Sequence, residues 1–371
     1  LVPRPGDAAE LQVEAAMPVL HRSLFCSIKL VQICALHHSE VGHQMARRSG
    51  GEVARVLRAL AGFAIIFALI WLCLYEVQQK FPYIQTGSDV IFQIKLRREH
   101  TPHLFQKPDV AGVLFFGNSK ALSGFIPDEF DAAMEGAGRA TESYNLGLPA
   151  YSFFVDRLES ILAAGNVPKY ILITAPWSPD PERADLFHFI RHDSQTMNEL
   201  FPFHLMARDV MMAAIASMRS RGSLNYYASN RAIVERMIAD RGYFFIFESS
   251  TFPHNQLPAN FRTPLDRPQQ VAEREATTHD REFQKLNRLL ESYHVTCLIV
   301  PLYFRFGQVA QPPPENQRLQ AELASYPAFK LLGPDYVLLD NRYFSDAEHL
   351  NPDGARLYTR YLAGLVAPSM R

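Results

Sequence analysis

Two side chains have the types and settings needed for acyl-group chemistry. Ser119 closes Val113-Leu-Phe-Phe-Gly-Asn-Ser119, an apolar run that stops abruptly at Gly117-Asn118-Ser119. His349 lies near the far end of the chain, in Ser345-Asp-Ala-Glu-His349. A serine hydroxyl attacks an ester only with a base to take its proton, a partner to orient that base, and donors for the developing oxyanion. His349 fits the base, and Asp346 fits the orienting carboxylate. The Asp-x-x-His spacing lets one loop present both. Each residue also has a plainer reading, as a helix-capping serine, a turn-capping aspartate and a packed loop histidine. Their joint placement separates the two readings.

That placement follows from the apolar pattern. Val113–Phe116, Ser143–Leu146, Lys169–Thr174, Val295–Leu302 and Tyr336–Asp340 are short apolar runs, as expected of parallel strands covered on both faces. Helical spacing lies between them, over Pro127–Glu135, Ser152–Ala164 and Arg281–Tyr293. The last helix has the clearest start: Asn351 can cap, Pro352 suits the first turn, and Asp353 suits the positive helix end. Alternating strands and helices predict an α/β fold, a three-layer α/β/α sandwich with right-handed crossovers. Five strands suit a flavodoxin-like parallel sheet of order 2-1-3-4-5, with a site at the switch point between the first and third. Ser119 follows the first strand and the Asp346–His349 loop precedes the last helix.

The alternation breaks over approximately 179–267. Helical patterns at Phe203–Met218 and Ala228–Ile238 dominate this insertion, and Tyr243–Phe247 is its one strand-like run. Two roles are open for it: shaping the cleft over the carboxyl edge of the sheet, or remote elaboration.

Hydrophobic residues make up 48% and charged residues 20% of the 371, enough apolar material for a sizeable core. The net charge of −1 leaves no electrostatic footprint for nucleic acid. Cys26, Cys34, Cys73 and Cys297 have no metal-ligand spacing and predict no disulfide framework. Residues 59–75 carry no charge and read as a transmembrane signal anchor, flanked by Arg47, Arg48, Arg55 and Arg58 before and by Glu76 and Lys80 after. The basic flank, residues 45–58, would stay cytoplasmic and the bulk, residues 81–371, would lie outside. A buried core helix and a cleaved signal peptide are the rivals. Uniform apolarity all round, with no polar face, argues against the first, and no small-x-small site follows Leu74 for the second. Residues 1–44 read as an unstructured extension or a mis-assigned start.

Gly117-Asn118-Ser119 after the first strand, with Asp346-x-x-His349 before the last helix, resembles the SGNH (GDSL-type) hydrolase superfamily. The matching parts run from roughly 110 to 176 and 281 to 366. The resemblance implies Ser119 as nucleophile, His349 as base, Asp346 as orienter, and Gly147 of Asn145-Leu-Gly147 as a backbone oxyanion donor beside Ser119 N–H. It departs in two places. Gly-Asn-Ser replaces the usual Gly-Asp-Ser, and Ile171-Leu-Ile-Thr-Ala-Pro-Trp-Ser178 lacks the asparagine of the family's third block, leaving Trp177 or Ser178 as stand-ins. The anchor narrows the resemblance to membrane-anchored SGNH-like proteins of cell-envelope polysaccharide acylation.

The expected function is therefore an esterase or O-acyltransferase on acyl esters, most simply acetyl esters, of envelope polysaccharide. It would sit in the inner membrane by a single pass, with its catalytic domain periplasmic or extracellular. The alternative is a degenerate scaffold that binds glycan or partners in an envelope-assembly complex. No cofactor or metal is expected. His188-Phe-Ile-Arg-His192 lacks the glutamate of a zinc-protease helix, and no phosphate-binding glycine loop is present.

Overall fold

The computed structural model describes residues 50–80, 91, 94–95, 98–99, 104–107, 109–148, 154–174, 206–219, 223–245, 252–269, 278, 281–311 and 317–370. The chain divides into two compact units, Leu1–Ile84 with Arg183–Ala214 and Gln85–Glu182 with Ile215–Arg371. In the first, α1 (Gly50–Lys80) contains Ala54–Glu76, a stretch long and apolar enough to cross a membrane. Its Leu60, Phe63, Ile66 and Leu69 are exposed among the described residues.

The second unit is α/β. Strands β1 (Ala111–Phe116), β2 (Thr141–Asn145), β3 (Tyr170–Thr174), β4 (Thr296–Val300) and β6 (Phe329–Leu331) form a parallel sheet in the order β2-β1-β3-β4-β6. Strands β5 (Leu302–Arg305) and β7 (Tyr336–Leu339) form a separate parallel pair. Helices α2 (Ser119–Gly124) and α3 (Pro127–Gly136) connect β1 to β2, and α4 (Val155–Ala163) follows β2. Helix α5 (Met206–Arg219) is divided between the two units at Ala214, and α6 (Ser223–Ala239), α7 (Arg281–Tyr293), α8 (Gln317–Leu323) and α9 (Pro352–Val366) complete the set.

Strand periodicity divides the core into two apolar clusters. Leu114, Phe116, Ile171, Ile173, Cys297 and Ile299 pack with α4 and α7 in one. Val113, Phe115, Leu172, Leu298 and Val300 pack with α3 and α9 in the other.

Three expectations are corrected. The run Val295–Leu302 is not one strand: Pro301, with no N–H to donate, separates β4 from β5, which pairs elsewhere. Tyr336–Asp340 is not the fifth strand of the main sheet. That place belongs to Phe329–Leu331, where Lys330 is exposed between two less exposed apolar neighbours. Tyr243–Phe245 is not a strand either, because Phe244 N–H donates to Leu122 O of α2 at 3.2 Å rather than to a sheet partner.

Candidate active site

Ser119 is the first residue of α2, reached by a tight turn from β1. A Cβ at Gly117 would stand 2.6 Å from Ala121 Cβ, so glycine lets the chain reverse there. Asn118 caps α2, its Oδ1 accepting from Lys120 N–H at 3.0 Å. Asparagine is among the best residues at such a cap, about equal to aspartate.

The carboxyl-terminal loop meets this serine. His349 Nε2 lies 2.9 Å from Ser119 Oγ, and His349 Nδ1 lies 2.8 Å from Asp346 Oδ2. Asp346 Oδ1 accepts from the N–H groups of Glu348 at 2.8 Å and His349 at 2.7 Å. An ionised carboxylate only accepts, so Nδ1 carries the ring proton of the neutral imidazole and Nε2 is left to accept from the Ser119 hydroxyl. Burial pushes the Asp346 carboxyl up, but the hydrogen bonds from the His349 ring and the two loop N–H groups outweigh it and hold it below its ordinary value. The ring and the carboxylate keep 19% and 29% of their surface, so a reactant can reach them.

The oxyanion donors stand differently. Gly147 N–H donates to Asn145 Oδ1 at 2.9 Å and is committed there, not free for an oxyanion. What glycine provides at 147 is space: a Cβ would fall 2.4 Å from Leu122 N of α2. Trp177 and Ser178 lie outside the described residues, as do His188 and His192. Among the described residues, no cluster of histidine, cysteine and acidic side chains could hold a metal ion.

Sequence reasoning missed what holds α2. The Asn145 amide donates to Ala121 O, Leu122 O and Phe125 O at 2.9, 3.1 and 2.7 Å, serving carbonyls at the end of this short helix. Buried Lys95 donates in turn to Asn145 O at 2.8 Å and Gly147 O at 2.7 Å. Burial, with Arg157 adding to it, holds that ammonium well below the ordinary lysine value, and Glu99 opposes. Tyr303 Oη–H donates to Lys120 O at 3.0 Å. Asn145→Ala would leave three carbonyls without this partner in a dry setting. It is expected to lower unfolding free energy by about 2–3 kcal/mol, measured by urea denaturation.

The described end of the insertion, residues 252–269, supports the other half of the site. Asn341 Nδ2 donates to Pro258 O, Ala259 O and Phe261 O at 3.1, 3.0 and 3.2 Å. Asn351 Nδ2 donates to Asn255 O at 3.0 Å, and Leu257 N–H donates to Phe344 O at 3.1 Å. Residues 241–245 meanwhile hold β2 and α2: Asn145 N–H donates to Arg241 O at 2.9 Å, and Arg241 pairs with Asp128 and Asp131. Of the two roles open from sequence, these contacts favour the nearby one. An open cavity of about 380 Å³, lined by Tyr336, Val337, Leu339, Leu357 and Tyr361 among others, includes no triad residue.

No family model, curated protein or solved structure matches the chain.

Proposed function

We propose that the second unit is an SGNH-like serine esterase or O-acyltransferase acting on acyl esters of cell-envelope polysaccharide. The observation that carries this reading is the continuous Ser119–His349–Asp346 hydrogen-bond chain. Ser119 Oγ would attack the acyl carbonyl carbon as His349 Nε2 takes its proton. The tetrahedral oxyanion would collapse to an acyl-serine, with the same proton passing to the leaving alkoxide. Water or a sugar hydroxyl would then release the acyl group by the reverse path. The parallel order β2-β1-β3-β4-β6, with apolar clusters on both faces, supports a three-layer, flavodoxin-like arrangement in which Ser119 lies at the switch between β1 and β3. The scaffold alternative expects the two side chains to point apart. Their 2.9 Å approach favours catalysis.

The substrate class rests on the anchor. A helix able to cross a membrane, with arginines before it, supports a single-pass protein of the inner membrane whose catalytic unit faces the envelope. Protease added outside spheroplasts is expected to digest the C-terminal unit of the full chain and to leave a small fragment containing α1. Full protection until the membrane is lysed would overturn that orientation. The activity itself is tested by acetate release from, or acetyl transfer to, acetylated envelope polysaccharide with wild type and Ser119→Ala.

A further inference from the structure

Among the described residues of the second unit, Arg305 is the largest fully buried side chain, and apolar packing does not explain it. It lies on β5 with 1% of its side chain exposed. Its Nε–H donates to Ala347 O at 2.7 Å, and its Nη2 pairs with Asp266 Oδ1 at 2.7 Å. The guanidinium carbon sits 5.1 Å from the Phe261 ring centroid. Asp266 is itself held by Thr263, whose N–H and Oγ–H donate at 3.1 and 2.9 Å. Among the described residues, the third guanidinium nitrogen, Nη1, is buried without a hydrogen-bond partner.

Stability alone gives little reason for this arrangement. A buried ion pair loses hydration that its own attraction barely restores, and an apolar pair of similar volume often serves as well. An orphaned guanidinium N–H adds a further cost. The guanidinium does one thing an apolar side chain cannot: it grips the carbonyl of Ala347, between Asp346 and His349. Other hydrogen bonds close that loop on itself, from Ser345 N–H to His349 O at 2.9 Å and from the Glu348 and His349 N–H groups to Asp346. Arg305 ties the crest of the loop to a strand. It also ties it to the insertion, because Asp266 belongs to the 252–269 arm.

We infer that Arg305, braced by Asp266, is a positioning residue that fixes the Asp346–His349 loop against Ser119, which makes the 252–269 arm part of the catalytic apparatus. This rests on the reading of Ser119, His349 and Asp346 as a triad. A planar, two-pronged donor suits the task because it reaches Ala347 O and Asp266 together, whereas a lysine reaches one acceptor well.

The test uses the full chain in detergent micelles, with Arg305→Met, Arg305→Lys and Asp266→Ala. A fluorescent fluorophosphonate gives the rate of covalent labelling, resolved into the binding constant and the maximal rate. Nitrogen-edited proton spectra follow the downfield His349 Nδ1–H, and thermal unfolding follows stability. Arg305→Met is expected to lower the maximal labelling rate by about 100-fold with little change in probe binding, the scale of a small misplacement of reacting groups. It should also weaken the His349 signal. Arg305→Lys is expected to fall between, with the signal retained, and Asp266→Ala to show a smaller loss than Arg305→Met. Wild-type labelling rates and an unchanged His349 signal in Arg305→Met overturn the inference, whatever happens to the melting temperature. If Arg305→Met does not fold, the same unchanged pair of readings in Asp266→Ala overturns it. Failure of wild type to label at Ser119 would sink the triad reading instead. The His349 signal then decides the positioning role, and insensitivity to Arg305→Met counts against it.

Discussion

Ser119→Ala is expected to lower ester turnover by about 10⁴–10⁶-fold and leave the fold intact. The size follows from the site acting as a unit. Without Oγ there is no atom to carry the acyl group, and His349 has no proton to take from the protein. What survives is whatever the site does by binding and orienting an ester for attack by water. Structural damage should be slight. The backbone carbonyl of Ser119, which accepts from Ser123 Oγ–H at 2.9 Å, is untouched, and the cap of α2 belongs to Asn118. Acetate release from an acetylated polysaccharide, beside an unchanged thermal unfolding curve, checks both halves. Turnover within a few-fold of wild type would remove Ser119 from the chemistry.

Asp346→Asn should cost about 10⁴-fold in turnover with only a modest change in structure. The loop dictates how the new amide sits. The N–H groups of Glu348 and His349 both point at one oxygen of residue 346, so the amide oxygen must stay there to accept them. The amide nitrogen then faces His349 Nδ1, where Asp346 Oδ2 now lies at 2.8 Å. A donor there forces the ring into the other tautomer, with hydrogen on Nε2 facing Ser119, and the base is lost. The substitution also has a pH signature. The Asp346 carboxyl is held below its ordinary value when folded, so its stabilisation is complete above the unfolded value of about 4 and is lost as pH falls through the folded one. Unfolding free energy measured from neutral to acid pH should therefore decline less steeply in Asp346→Asn. Equal slopes would show that the carboxylate carries no such linkage.

The central strands were legible because parallel strands buried on both faces read as unbroken apolar runs; β1, β3 and β4 are of this kind. The first half of β2 was not legible. Its buried Thr141 and Glu142 are polar, and only tertiary partners make them acceptable: Glu142 accepts from the N–H groups of Gln106 and Lys107, and the Thr141 hydroxyl donates to Asp131. Three-residue β6 is too short for a period to declare itself. Tyr336–Leu339 has the right composition for the main sheet, but composition does not name a strand's neighbour. Ser119, Asp346 and His349 stood out because their side chains can react and their local settings are unusual. The holding roles of Asn145, Arg305 and Asp266 did not, because each acts through a group distant in sequence. Gly147 shows the limit in another way. Its position was legible, but its N–H is engaged by Asn145, and what the structure requires of it is the missing Cβ beside Leu122.

The central claim is that Ser119 forms an acyl-enzyme. The most direct measurement is mass analysis of the full chain quenched during reaction with an activated acetyl ester, followed by peptide mapping. The account predicts an acetyl adduct on the peptide containing Ser119 in wild type, accumulating faster than in His349→Ala and missing from Ser119→Ala. An adduct that appears elsewhere, or one that forms at the same rate in all three proteins, would contradict it.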